Sequence, residues 1–321
     1  MKSLLLNKKT VVKLILSILF VTIFFFTSCN TSFKKKIQLP LTSEEVKDLE
    51  YFLNLLLFEN HGAFVMFGSK PISDMTLIDT ERAETLWEQK LASMSEEERA
   101  QWNKAFKEME EKGDIIKPGF LRNPFKGWLA WEKINNRFNK KRFLMLIKPQ
   151  AEGSAFYDLL LVDILKTALI LAQHYDYFKE IAGTDFDAFG IIYELENPQS
   201  LFWDRVFQLE NHLAKGLLFG YGKKNALIFD CQFKHLEKKD AISQQIMSIP
   251  IPVSFEKEVK LGQGSLKNFT IPRFGVIDRK YVRKYQKEKK EIENYYRGKA
   301  FLQATLEKIF DYSEEKSKIE R

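Results

Sequence analysis

Only a few residues in this chain have the types and spacing that could do chemistry. The four His, at positions 61, 174, 212 and 235, stand singly, without HExxH, paired CxxC or EF-hand spacing, so no metal centre or cofactor is expected. Glu59-Asn60-His61-Gly62 is the most site-like cluster, with Glu59 and His61 as loop candidates because loops at element ends commonly hold functional groups; the competing reading is a helix C-cap. Asp185-Phe186-Asp187 pairs two carboxylates, in a spacing that also suits a solvated turn. Asp230-Cys231 with His235 offers a thiol near an imidazole, but nucleophilic pairs need a third, orienting group that linear order does not supply. Gly216 to Lys224 superficially suggests a phosphate loop. Walker A needs Gly where Leu217 stands and Ser or Thr where Lys224 stands, so a helix end and turn before a strand is expected. No catalytic residue is assigned, and the enzyme question leans to no.

Charge is more informative. The 321 residues carry net +7, with 45% hydrophobic and 29% charged side chains, which excludes disordered, collagen-like and polytopic membrane classes. Nine Lys and Arg lie between Lys117 and Lys148 against Glu132 alone, interleaved with Phe120, Phe125, Trp128, Trp131, Phe138 and Phe143. In a helix after Pro124, Lys126, Lys133, Arg137 and Lys140 fall on one stripe, a ridge suited to anionic headgroups or acidic glycans. Residues 81 to 114, with ten acids and six bases, could instead neutralise it by docking.

These residues must be positioned by a helix-rich α+β domain with a small sheet, expected over residues 43–321. Thr42 and Glu45 make a capping box ahead of Val46, Leu49, Phe52, Leu53, Leu56 and Leu57. Ala63 to Phe67 reads as a strand before the turn Gly68 to Pro71. Helices follow over Asp79 to Leu91 and Ser95 to Lys112, the second closed by Gly113, and over Pro124 to Phe138; Arg142 to Lys148 reads as a strand. Ala155 to Tyr177, the most apolar segment after residue 28, reads as a buried central helix, and another helix follows Pro198 toward Gly220. Asn225 to Lys234 and Ile249 to Phe255 look extended, with Cys231 a buried small hydrophobe, and Asp278 to Phe310 reads as one long closing helix.

The amino terminus carries the one specific motif. Lys2, Lys8, Lys9 and Lys13 precede the run Leu14 to Phe26, in which only Ser17 and Thr22 are polar; 13 residues are too few to span a bilayer stably. With Phe26-Thr27-Ser28-Cys29 after it, this segment resembles the lipobox of bacterial lipoprotein precursors, departing from it in Phe26 where that family more often has Leu. The resemblance implies a signal peptide over residues 1–28, a lipidated tether over 29–42, and a diacylglyceryl group on the Cys29 sulfur with an acylated amino group. Two or three chains make a durable anchor where one does not. A plain signal peptide containing a Cys and an uncleaved anchor are the alternatives. Asn30, in place of the Asp that commonly retains such proteins in the inner membrane, points to the outer membrane. Removing residues 1–28 takes away four Lys and no acid, which leaves net +3.

Around Phe64 to Pro71 and Leu217 to Leu227 the body resembles uncharacterised lipoproteins of intracellular bacteria, a likeness that implies localisation and no activity. The expected role is noncatalytic, binding or organising an envelope component at the membrane to which the lipid tethers it. The alternatives are an envelope hydrolase with a site assembled from separated residues, and a basic nucleic-acid-binding protein, the least expected partner being nucleic acid. Sequence names no protein partner.

Overall fold

The structure, a computed structural model, describes residues 39–111, 122–135, 142–197, 199–208, 211–235, 269–272 and 279–309. Its organising element is a three-stranded antiparallel sheet of β1 (Ile72–Ile78), β2 (Phe143–Pro149) and β3 (Phe156–Asp163), ordered β1-β3-β2. Val162 sits opposite Ile72 on one side and Leu144 on the other, which fixes the register. Since side chains alternate, Ile72, Leu144, Leu146, Leu160 and Val162 share one face, while Met75, Leu77, Met145, Leu159 and Leu161 share the other.

Helices cover both faces, making an α+β fold. The first face meets the main core, built with α6 (Ile164–Gln173), α7 (Tyr175–Ala182), α8 (Ala188–Glu194), α9 (Leu201–Trp203) and its widened continuation Asp204–Gln208, and α10 (His212–Leu218). The second face meets α1 (Ser43–Asn54), the wide turn Leu55–Glu59, α2 (Gly62–Met66) and α5 (Pro124–Glu132). Both sides of the expected Thr42–Glu45 capping box are made, with Glu45 Oε2 accepting from Thr42 N at 2.7 Å. Gly127 lets α5 press on α1: a Cβ there would lie 2.3 Å from Asp48 O and Phe52 Cβ. Two acid-rich helices, α3 (Thr80–Ser93) and α4 (Glu96–Glu111), follow β1; Asp79 caps α3, and Ser95 and Glu98 cap α4 reciprocally. The described chain is completed by α11 (Lys223–His235), α12 (Arg279–Tyr296) and a final helix α13 over residues 301–309.

Several sequence expectations are corrected. Ala155 to Tyr177 is a strand followed by two helices: the last five residues of β3 are buried against helices on both faces, so the strand reads as a continuous apolar run without alternation. Asp163 then caps α6, accepting from Lys166 N at 3.0 Å. Ala63 to Phe67 is helical through Met66, because His61 at φ 63° turns the chain so that Phe64 N can donate to His61 O at 3.0 Å. The strand comes after Pro71 instead. Asn225 to Lys234 lies in α11, and Cys231 on it is exposed. The helix after Pro124 stops at Glu132 with Lys133 as its cap. The segment after Pro198 is interrupted at Asn211, whose non-helical backbone and side chain cap α10. The closing helix breaks at Gly298, at φ 72°, into α12 and α13. Gly113, Ile249 to Phe255 and Phe310 lie outside the described residues, as does all of residues 1–38 with Cys29.

Candidate functional site

The Glu59–Gly62 loop is where separated polar groups converge. The wide turn before it closes with Asn60 N donating to Leu55 O at 3.0 Å, and the Asn60 side chain donates to the same carbonyl at 3.0 Å. His61 follows in the left-handed region, the one residue other than Gly that does so among the described residues. The Asn60 carbonyl accepts from the Ser73 hydroxyl on β1, and Ser73 Oγ accepts from Lys70 Nζ at 3.3 Å. Lys70 is 3% exposed, its ammonium 5.4 Å from the centre of the Phe219 ring. Burial pushes its amine down to about 8, against the pull of the Asp74 carboxylate. Burial of its surroundings in turn raises the Asp74 carboxyl, although Asp74 itself reaches solvent.

An amine of that kind beside a hydroxyl is the arrangement of a Ser–Lys pair, in which the amine takes the hydroxyl proton. Here the hydroxyl proton is committed to the Asn60 carbonyl, and Ser73 is 0% exposed. An acyl carbon has no approach to Ser73 Oγ in this geometry, so the trio acts as a latch between β1 and the loop. The segments Phe64 to Pro71 and Leu217 to Leu227 meet at this latch, where the Lys70 ammonium lies over the Phe219 ring. Gly220, at φ 77°, lies so close that a Cβ would come 2.9 Å from Pro71 Cδ and from the Tyr285 hydroxyl. His61 Nε2 lies 3.5 Å from Thr270 Oγ1, while the Asn60 carbonyl joins the loop to the Lys70–Ser73 contact. Glu59 Oε1 is buried in the same turn. Nothing in the sequence pointed to Lys70 or Ser73; the signal would have been a Lys inside a Gly/Ser/Pro turn that leads into an apolar strand.

The remaining sequence candidates have structural partners. Asp187 caps α8 through Gly190 N, while Asp185 accepts from Tyr175 and pairs with Lys179 at 2.7 Å. Gly220 and Gly222 make a left-handed turn, as the helix-end reading required, but α11 follows it in place of a strand. Of the basic ridge, Lys126 pairs with Glu81 at 2.5 Å and Lys133 with Glu45, whose carboxyl is held down at about 2 by that contact and by Thr42. Arg137 and Lys140 lie outside the described residues. Asp163, 0% exposed, joins Arg142 at 2.9 Å to Lys166 at 2.7 Å, and Lys166 also donates to Val65 O at 2.7 Å.

Two apolar features remain. A cleft of about 440 Å³, counting its open mouth, lies on the second face of the sheet between Leu53, Leu57, Trp131, Met145, Leu161 and Ile309. On the opposite side of the molecule, the packed pair α6 and α8 exposes Leu165 (48%), Leu169 (53%), Phe189 (46%) and Tyr193 (45%), each pair four residues apart and so on one helix face. Among the described residues no group of three or more His, Cys, Asp or Glu could hold a metal ion, and no helix is long and apolar enough to cross a membrane. No family model, curated protein or solved structure matches the chain.

Proposed function

We propose that this chain is a lipid-anchored protein of the bacterial cell envelope, held at the outer membrane through Cys29, whose body binds or organises a partner without catalysis. The observation that carries the reading is the order of a Lys-rich start, a 13-residue apolar run and Phe26-Thr27-Ser28-Cys29. The body supports the binding half of it. Its most reactive-looking polar groups are spent on one another, Ser73 on Asn60 and Asp163 on Arg142 and Lys166, while large apolar side chains of α6 and α8 face solvent. Contiguous exposed apolar surface of that kind suits contact with a partner.

Metabolic labelling with an alkyne analogue of palmitate tests the anchor. The wild-type chain takes up the label and Cys29→Ala does not. A wild-type chain that stays unlabelled in cells whose other lipoproteins are labelled overturns the reading.

A further inference from the structure

The described cations of the 117–148 stretch are engaged inside the fold, but a second basic surface is not. Along α12, six cations, Arg279, Lys280, Arg283, Lys284, Lys287 and Lys290, are exposed. At 100° per residue they occupy an arc of about 140°. Tyr285, Ile292 and Tyr296 occupy the opposite side and are buried, Tyr285 against Phe64 and Tyr296 against Phe58. The helix is therefore seated by its aromatic side and presents its charge outward over about 17 Å of its length. Glu291 is the one acid exposed on that arc, and it touches only Lys287, at 3.9 Å. Glu288 is turned inward, accepting from Ser69 N at 3.1 Å. Arg279, Lys280, Arg283 and Lys290 make no ion pair among the described residues.

We infer that this face of α12 is the surface by which the tethered body lies against anionic lipid headgroups. A straight, regular row of long, flexible cations suits a flat array of phosphates. Tyr285 and Tyr296 of α12 are buried and so not available to stack on bases of a single strand, which disfavours nucleic acid as the occupant. The choice of a membrane rests on the lipid-anchored reading, since a chain held at Cys29 has that surface within reach. Each basic residue brought to an anionic surface strengthens binding about fivefold, and the attraction falls off over a Debye length, so it must be salt-sensitive.

The test uses the chain from residue 29 with Cys29→Ala, which lacks lipid and keeps the whole compact unit from Leu39 onward. Its binding to phosphatidylcholine vesicles with and without phosphatidylglycerol is measured at low and high salt. It should bind only the anionic vesicles, lose binding at high salt, and weaken about 100-fold in the triple variant Arg283→Gln, Lys287→Gln, Lys290→Gln. These three side chains are exposed, and far-UV circular dichroism and the unfolding midpoint should stay as in the parent. Absence of binding to anionic vesicles, full binding by the triple variant, or tighter binding to a single-stranded oligonucleotide at the same salt overturns the inference. Because this chain carries no lipid, those results leave Cys29 untouched, just as a missing palmitate label would leave the α12 surface untouched.

Discussion

Between Lys117 and Lys148 every described cation ends on a carboxylate, whereas of the six exposed cations of α12 only Lys287 touches one among the described residues, Glu291 at 3.9 Å. Arg122 reaches Glu44 and Asp48, Lys126 reaches Glu81, Lys133 reaches Glu45, Arg142 reaches Asp163, and Lys148 reaches Asp204. The acids come from four separate places in the chain, the first two turns of α1, the first turn of α3, the end of β3 and the segment after α9. Docking of α5 onto α1 brings the first group within reach, and it depends on the missing side chain of Gly127. On α12 the nearest acids in sequence are on its other sides or, like Glu291, barely in contact. Charge density along a sequence therefore does not measure charge available to a partner. In the stretch with the higher local imbalance, the described cations are already paired within the fold.

The largest effect should come from the deepest of those pairs. Asp163→Ala leaves Arg142 and Lys166 near a buried void in charge, and breaking a buried pair costs about 3–5 kcal/mol; urea unfolding should show a loss of that size. Removing an exposed cation of α12 such as Lys290→Gln should leave the same curve in place. Equal effects from the two variants would erase the distinction between spent and free cations.

Lys70 sharpens the comparison because its ammonium is buried against the Ser73 hydroxyl and the Phe219 ring, with the Asp74 carboxylate acting on it through space but no described carboxylate in hydrogen-bond contact. Its folded pKa, about 8, lies below the unfolded value of a lysine, so the folded state holds fewer protons than the unfolded state between those two values. The cost of burying the ammonium is thus fully present below pH 8 and is relieved as pH rises toward the unfolded value, by up to about 3 kcal/mol. Wild type should gain stability relative to Lys70→Met between pH 8 and 10. A constant difference across that window would mean that Lys70 stays charged at a solvated position. Burial also raises the Tyr285 and Tyr296 hydroxyls, which acts in the opposite sense at higher pH, but this is common to both chains.

A smaller effect is expected at the contact that seats α5. Gly127→Ala would place a methyl against Asp48 O and the Phe52 side chain, and such overpacking costs about 1–3 kcal/mol. Thermal unfolding should fall accordingly, and chemical labelling of Lys126 and Lys133 should rise as α5 moves off α1. A stable variant with unchanged labelling would show that the ion pairs, and not the close helix contact, hold this side of the molecule.

Local signals made parts of this fold legible. Thr42 with Glu45, Asp79, Ser95 with Glu98, and Pro124 after Asn123 each start a helix where the sequence placed one, because caps act within three residues and need no tertiary partner. The strand from Phe143 was legible for a similar reason, ending at Pro149. What failed was decided at a distance. Burial on both sides erases the alternation of β3, and the helix of Gly62–Met66 depends on the left-handed turn at His61. Of the candidate site, the Glu59–His61 loop was visible as a break between apolar runs. Its link through Asn60 to Lys70 and Ser73 depends on β1 folding back beside it, and pattern alone does not carry that. The α12 surface was hidden in plain composition. Only the burial of Tyr285, Ile292 and Tyr296 shows that the opposite face of that helix is left to solvent.

Lysine footprinting of the lipidated protein, seated on vesicles through its own acyl chains, tests the central claim most directly. Amine acetylation read by mass spectrometry reports each Lys separately, on neutral vesicles and on vesicles containing phosphatidylglycerol. The account predicts that Lys280, Lys284, Lys287 and Lys290 lose reactivity several-fold on the anionic vesicles alone, while Lys126 and Lys133, held by Glu81 and Glu45, react equally on both. Protection at Lys126 and Lys133 with the α12 lysines unchanged would contradict it.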